Sequence, residues 1–272
     1  MVTAEEWHGA VSERSDDFDG LSVVAFVSSA GSSWSGPIRV IGSDQNEYFV
    51  KCLEACPDDL QRKSLVIEQV VAEVGKLIGA PVCETSLIRV PEELAGLRVR
   101  SGMSLATGLA RASRALDRAD EYGRPSLYAR HRDDNRRRHV GIYALFDWCM
   151  GSDQQWLYDL DEDRTIYSHD HGLYLPPTGF GFYTIDALKA EVSSPSTLPD
   201  APSGLDAGAI EQVAKALEAV SRGNLIRVLN HVPASWPATD EELEALGWFL
   251  ERRAPAVATR LRDLCSKAGA SR

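Results

Sequence analysis

Between residues 21 and 53, short runs of β-branched and aromatic residues alternate with clusters of Gly, Ser, Asp and Asn. The apolar runs are 21–27, 38–41 and 48–53, and the polar clusters between them are 28–36 and 42–46. Such runs bounded by turn residues predict three antiparallel strands joined by tight connections. The period then changes. Leu65, Ile67 or Glu68, Val71, Val74 and Ile78 recur near helical spacing, Ser64 is placed as an N-cap, and Gly79 ahead of Pro81 is a stop signal. Residues 82–90 return to a strand pattern.

Residues 98–108 are rich in small side chains and lack a strong period, which predicts a hinge between an N-terminal mixed lobe (1–100) and a C-terminal lobe (109–272). Residues 140–148 are apolar on most sides, as in a buried helix, and run into the polar loop Gly151-Ser152-Asp153-Gln154-Gln155. Two short segments, 156–160 and 165–169, flank Asp161-Glu162-Asp163 and predict a hairpin, with Asp170-His171-Gly172 just beyond it. From Ala207 onward the pattern is helical, punctuated at Gly223 and Pro233, and the Ser- and Pro-rich stretch 193–204 predicts a surface loop. The expected class is α+β in two lobes, an antiparallel-sheet lobe followed by a mainly helical one.

Composition narrows the setting. A chain of 272 residues, 44% hydrophobic and 25% charged, can bury one large core or two smaller ones. No apolar run approaches the roughly 18 to 20 residues of a membrane helix, and the acidic stretch 1–19 lacks the order of a signal peptide, so the expectation is a cytoplasmic protein without a membrane partner. Cys52, Cys56, Cys83, Cys149 and Cys265 are scattered, with no second pair at zinc-site spacing, and read as reduced thiols. A net charge of -11 argues against general nucleic-acid binding. The basic segment 130–139 is the local exception, either a solvated face or a patch for an anionic substrate.

Phosphoryl transfer from a nucleotide needs a donor-rich loop over the phosphates, a cation that touches them, a carboxylate near the attacking group and another that holds Mg²⁺. The chain offers each in order. The loop 28–36, with Gly31, Ser32 and Ser33, has backbone N–H groups and hydroxyls suited to phosphates, although an ordinary hairpin connection has the same composition. Lys51 ends an aromatic-aliphatic strand, where a lysine is also a common edge charge. Glu68, on the next helix and close to its apolar face, is placed to pair with Lys51, and Glu73 competes for that role. Asp153 and Asp170 stand at the two ends of the hairpin, which folds them back to one edge of a cleft.

The segments around Lys51, 67–82, 146–153 and 166–175 together resemble the HipA-like kinase family, especially its compact bacterial branch, over residues 21–175. The most specific element of the likeness is the Asp170-His171-Gly172 turn followed by an aliphatic-aromatic strand. The resemblance implies a protein-kinase-like fold with ATP and Mg²⁺ in the interlobe cleft. Lys51 would contact phosphate, Glu68 would be its helix partner, Asp153 the catalytic aspartate, Asp170 the metal-binding aspartate, and 28–36 the phosphate loop. It also implies a protein or peptide hydroxyl as acceptor.

One departure stands out. Family members carry an Asn a few residues after the catalytic aspartate that helps hold a second metal, and no Asn lies between Asp153 and Asp170 here. Asp159 or a glutamine substitutes for it, or the site takes one Mg²⁺, or catalysis has been lost. The expected function is therefore an ATP-dependent Ser/Thr protein or peptide kinase, with a nucleotide- or partner-binding module without turnover and a small-molecule kinase as alternatives. A metal hydrolase built on His169 and His171 lacks an evident third ligand.

Overall fold

A computed structural model describes residues 3–29, 36–56, 58–100, 103–122, 127–176 and 183–269. The first three apolar runs form β1 (Val23–Ser29), β2 (Ile38–Gly42) and β3 (Glu47–Lys51), paired antiparallel in that order. Alternation explains their packing: Ile38, Val40, Tyr48 and Val50 point into one apolar core while Arg39, Ile41, Phe49 and Lys51 are turned to the other face of the sheet. Of the loop between β1 and β2, residues 30–35 lie outside the described residues, and so do the expected phosphate-loop positions Gly31, Ser32 and Ser33.

Helix α1 (Asp59–Leu77) follows. It begins five residues ahead of the expected cap, and Ser64 is a buried position within it. The polar residues before Ser64 hid this start, yet the Arg62 N–H already donates to the Asp58 carbonyl at 3.1 Å. The helix stops where expected, with Gly79 at a φ of +67° that favours glycine.

Strand β4 (Thr85–Val90) is the far edge of the sheet. The segment expected to be a hinge instead holds a small hairpin, β5 (Arg98–Arg100) with β6 (Met103–Ser104). Beyond it β7 (Gly108–Arg114) enters the sheet between β3 and β4, giving the order β1-β2-β3-β7-β4. The chain therefore leaves the first sheet after Arg114, not near residue 100. Ala110 and Ala112, whose small side chains carry little periodic signal, are buried against the sheet's core.

A second, three-stranded sheet has the order β10-β9-β8, built from β8 (Ala119–Tyr122), β9 (Trp156–Asp159) and β10 (Thr165–Ser168). The expected hairpin is β9 and β10, with Trp156 opposite Ser168 and Asp159 opposite Thr165. Helix α2 (Asn135–Trp148) is docked on it by a buried amide. The Asn135 side chain donates to the Ala129 and Arg164 carbonyls and accepts the Ile166 N–H, at 2.8 to 3.0 Å. The remaining helices, α3 (Ile185–Glu191), α4 (Ala207–Glu218), α5 (Arg222–Asn230) and α6 (Asp240–Gly269), complete the helical lobe. Among the described residues, no helix is long and apolar enough to cross a membrane.

The amino-terminal residues belong to this second lobe rather than to the sheet lobe. The buried Trp7 lies against Gly247 of α6, where an added Cβ would come within 2.2 Å of the indole, and its N–H donates to Glu251 Oε2 at 2.7 Å. Arg14 donates to the carbonyls of Val232, Pro233, Trp236 and Ala238. The same strap then reaches the first sheet, where Arg89 on β4 donates to the Asp16 and Phe18 carbonyls at 3.0 Å. On the same side of the molecule, the Trp236 indole N–H donates to Leu109 of β7 at 3.1 Å. The two lobes are thus joined by these contacts as well as by the chain that follows β7.

Arg253 is the polar centre of the helical lobe. Its buried guanidinium donates to the carbonyls of Asp147, Trp148, Glu191, Val192 and Ser194 and pairs with the Asp147 carboxylate at 3.2 Å. An Arg253→Leu variant strands these acceptors, and the expected loss is about 3–5 kcal/mol of unfolding free energy, measured by urea titration. His139 is equally buried: its Nδ1 accepts from Arg130 Nε at 3.0 Å, and burial, with the Arg130 charge, lowers its pKa to about 3. The unfolded chain takes up this proton near pH 6.5 and the folded chain does not. The contribution is complete above that pH and falls by about 1.4 kcal/mol per pH unit below it, towards pH 3. A His139→Gln variant is expected to show a shallower decline in urea stability than the parent between pH 6.5 and 4.

Candidate active site

Three elements bring the predicted lysine and two of the predicted carboxylates together. Lys51 closes β3, Glu68 lies on the buried face of α1, and Asp170 follows β10 in a left-handed conformation with φ 52° and ψ 53°. Lys51 Nζ lies 2.5 Å from Glu68 Oε1 and 2.6 Å from Asp170 Oδ1. The choice between Glu68 and Glu73 is thereby decided, because Glu73 pairs with Lys76 along the helix at 2.6 Å.

Arg111 is a fourth charge that the sequence reading missed. It sits on β7 directly opposite Lys51, and its Nη1 lies 2.8 Å from Glu68 Oε2. The approach is off the ideal N–H direction, so the pair is chiefly coulombic. No periodic signal marked Arg111, since it alternates with alanines in a stretch read as the start of the other lobe. Only its alternation with Ala110 and Ala112, which puts it on the opposite face, was legible.

Charge states follow from these contacts. Burial works against the Lys51 ammonium, but Glu68 and Asp170 outweigh it and raise its pKa. Burial likewise opposes ionisation of Asp170, yet the charge and hydrogen bond of Lys51 hold its carboxyl well below the ordinary range. Burial raises Glu68, and the two cations pull the other way. His169 is pushed down to about 4 by burial and His171 well below the ordinary value by the same cause, so both rings are neutral at pH 7.

These side chains line the inner end of a cavity of about 540 Å³ between the two sheets, with His169 on its wall. The size is that of an ordinary ligand site. The ionised Asp170, an oxygen donor at the cavity wall, suits a hard cation, which takes one or two protein carboxylates together with the phosphates of a bound ligand. Among the described residues, no group of three or more His, Cys, Asp or Glu is placed to hold a metal ion. The imidazole of His171 turns instead to Ser168 Oγ at 2.8 Å and stacks edge-on against Tyr174.

Asp153 stands on the loop before β9 and does not line the cavity. The register sets it at the same end of the hairpin as Asp170, and the loop is tied to that turn by the His169 N–H, which donates to the Gln155 carbonyl at 3.4 Å. Both carboxylate oxygens are engaged locally: Oδ1 accepts the Gln154 N–H at 2.9 Å and Oδ2 the Gln155 side-chain amide at 2.7 Å. Asp159, offered as a substitute metal ligand, is at the opposite end of β9, opposite Thr165, where it accepts the Asp161 N–H. Gln154 and Gln155, just before β9, are the glutamines at the Asp170 end.

The basic segment 130–139 is largely committed to the fold. Arg130 donates to His139 and to the Ala201 and Ser203 carbonyls, while Arg132, Arg137 and Arg138 pair with Asp163, Asp134 and Asp133. None of its residues lines the cavity.

A sequence model of the family described as HipA-like kinase matches residues 23–165, more than half of the 272-residue chain, and ends just before Asp170. No curated protein sequence matches the chain. Among solved structures, the Helicobacter pylori proinflammatory kinase CtkA aligns with a TM-score of 0.54 and 13% identity, covering 89% of this chain and 96% of its own. Two structures of the Golgi casein kinase, one with Mn/ADP bound, align at TM-scores of 0.46 and 0.44 and 10% identity, covering 97% and 98% of this chain and 77% of theirs. At 13% identity the CtkA likeness shows a shared fold, a kinase fold with an antiparallel-sheet lobe and a helical lobe.

The Asp170-His171-Gly172 turn is pressed onto α1. A Cβ added at Gly172 would lie 3.0 Å from Glu68 Oε1 and 3.1 Å from Ser64 Cβ, both buried. In a Gly172→Ala variant the buried Glu68 and Ser64 must give by a few tenths of an ångström, and we expect it to lose about 1–3 kcal/mol of stability by urea denaturation. Parental stability in that variant would show that the turn has room to spare.

Proposed function

The chain belongs to the HipA-like kinase family, and from that premise we propose that it is an ATP- and Mg²⁺-dependent phosphotransferase acting on a protein or peptide hydroxyl in the cytoplasm. The observation that carries the reading is Lys51 held between two carboxylates at the inner end of a ligand-sized cavity. A lysine so placed can exchange the Asp170 oxygen for phosphate oxygens while Glu68 keeps its ammonium aimed into the cavity. Asp170 would hold the metal, which when bound neutralises charge on the phosphates. The loop 28–36 would cover them. Asp153 orients the acceptor hydroxyl and takes its proton as oxygen attacks the terminal phosphorus and the bond to the leaving diphosphate breaks. The free, buried cysteines Cys52, Cys56, Cys83 and Cys149 are in keeping with a reducing compartment.

One observation favours a second reading, a nucleotide-binding module without turnover. The Gln155 amide and the Gln154 N–H occupy both oxygens of Asp153, and no Asn lies between Asp153 and Asp170. A carboxylate so engaged must free an oxygen before it can act as a base.

Self-phosphorylation followed by mass spectrometry, with MgATP binding measured by calorimetry, separates the two. In the Asp153→Asn variant transfer is expected to fall by about 10²–10⁴-fold with binding retained, the scale of a lost acid–base group. In the Asp170→Asn variant transfer is abolished and the Mg²⁺ dependence of binding is lost. Parental turnover in either variant removes that residue's assignment, and binding without transfer by the parent selects the module.

A further inference from the structure

Asp170 leaves β10 and must turn its carboxylate to Lys51 at once, which it does in the left-handed region at φ 52° and ψ 53°. That conformation is costly for a residue with a Cβ, and it persists only where the surroundings over-determine it. On the far side of the turn, the close approach of Gly172 to Glu68 and Ser64 limits its movement. On the near side, a side-chain contact spans Asp170 itself.

That contact joins Ser168, two residues before Asp170, to His171, the residue after it. Ser168 Oγ lies 2.8 Å from His171 Nε2, and both residues are 1% exposed. Ser168 is a fixed anchor: it pairs with Trp156 of β9, its N–H donates to the Pro81 carbonyl at 2.7 Å, and its carbonyl accepts the Cys83 N–H at 3.3 Å. His171 is held at the other end. Its ring meets Tyr174 edge-on at 4.9 Å, and its carbonyl accepts the Tyr174 N–H at 2.9 Å. The hydrogen bond thus closes residues 168–171 into a ring that contains the left-handed residue. Opening the ring would strand a hydroxyl and a ring nitrogen away from water, so it resists opening. Apolar packing is non-directional and lets a ring slide, whereas a hydrogen bond fixes a distance and an angle across the residue between.

We propose that His171 and Ser168 are positioning residues, a side-chain clasp that sets the left-handed turn of Asp170 and so aims its carboxylate at a divalent cation bound with the nucleotide. This rests on the phosphotransferase reading above for the metal role of Asp170, and adds to it the contact that orients that residue. Lys51 stays on Glu68 in this arrangement, and the clasp acts through Asp170 alone.

The test reads metal affinity without turnover. Mn²⁺ stands in for Mg²⁺ because it shares the preference for oxygen ligands, and its free concentration is followed by electron paramagnetic resonance as the full chain is titrated with ADP present. Ser168→Ala removes one hydroxyl and is expected to weaken Mn²⁺ binding about 3- to 10-fold, the scale of one hydrogen bond. ADP binding without metal, measured by calorimetry, changes by less than about threefold, a split that a general loosening of the fold does not produce. His171→Phe keeps a ring edge for Tyr174 and loses the clasp, so it weakens Mn²⁺ binding as Ser168→Ala does. His171→Gln keeps a hydrogen-bonding group on a side chain of similar reach and recovers part of the affinity. Ser168→Ala combined with His171→Phe loses no more than either change alone, because both break the same contact. Thermal melting of the full chain identifies any variant that fails to fold, and His171→Leu then replaces His171→Phe.

Parental Mn²⁺ affinity in Ser168→Ala overturns the proposal. Parental affinity in His171→Phe also overturns it, by showing that packing alone sets the turn, and additive losses in the double variant do so by showing that the two side chains act separately. An equal loss of ADP affinity with and without metal overturns it as well, since the pair then serves the fold only. A parent that binds Mn²⁺ with ADP but transfers no phosphate from MgATP overturns the phosphotransferase reading alone, and the clasp is still decided by the variants. A parent that binds ADP and no Mn²⁺ overturns the metal role of Asp170 and the proposal with it.

Discussion

The buried carboxylate of Glu68 is the constraint on which the site depends. An anion at that depth must have cations and must have them in place, because water cannot reach it. It finds them on two strands, Lys51 on β3 and Arg111 on β7, and those strands are neighbours in the sheet. The insertion of β7 between β3 and β4 is therefore a requirement of the charge balance as well as of the sheet. Helix α1, in turn, sinks an apolar face that includes Leu65, Val66, Ile67, Val70, Val71 and Val74 into the core of the helical lobe, so the carboxylate has little freedom to move away.

The second lobe reaches this cluster through the Asp170 turn. The left-handed backbone of Asp170 and the lack of a side chain at Gly172 let the turn approach α1 closely enough for Asp170 to share Lys51 with Glu68. Asparagine and aspartate tolerate that conformation better than most residues, which is why an aspartate can serve there as both turn former and ligand. Behind the cavity, the strap at the amino terminus and the loop carrying Trp236 hold the sheet lobe against the helices. Inner-end chemistry and lobe placement are thus separately supported, one by ions and the other by side-chain hydrogen bonds to backbone carbonyls.

Much of this was legible in the chain because it depends on local pattern. The alternation in 38–41 and 48–50 and the helical spacing from Leu65 to Ile78 specify which faces are buried, and a strand followed by a helix places a lysine and a glutamate 17 positions apart on facing surfaces. The β9–β10 hairpin was legible for the same reason, since turn residues between two apolar segments set its register. The elements that escaped were those with weak local signals. β7 buries small alanines between arginines and so carries little apolar period, α1 and α2 open with polar turns, and the amino-terminal strap owes its place to the distant Gly247 and Glu251.

By itself the sequence determined that Lys51, Glu68 and Asp170 would be set on a strand, a helix and a turn of one two-lobed α+β chain, because apolar period and turn chemistry act over a few neighbouring residues. Only the tertiary structure decided that Glu68 and not Glu73 takes the lysine, that Arg111 shares the Glu68 carboxylate, that Asp159 is turned to the far end of its strand, and that Asp153 stands off the cavity wall with both oxygens engaged. Those outcomes depend on distances of a few ångströms between residues far apart in the chain. Coulombic pairing and burial are set by that separation, and no period along a single segment encodes it.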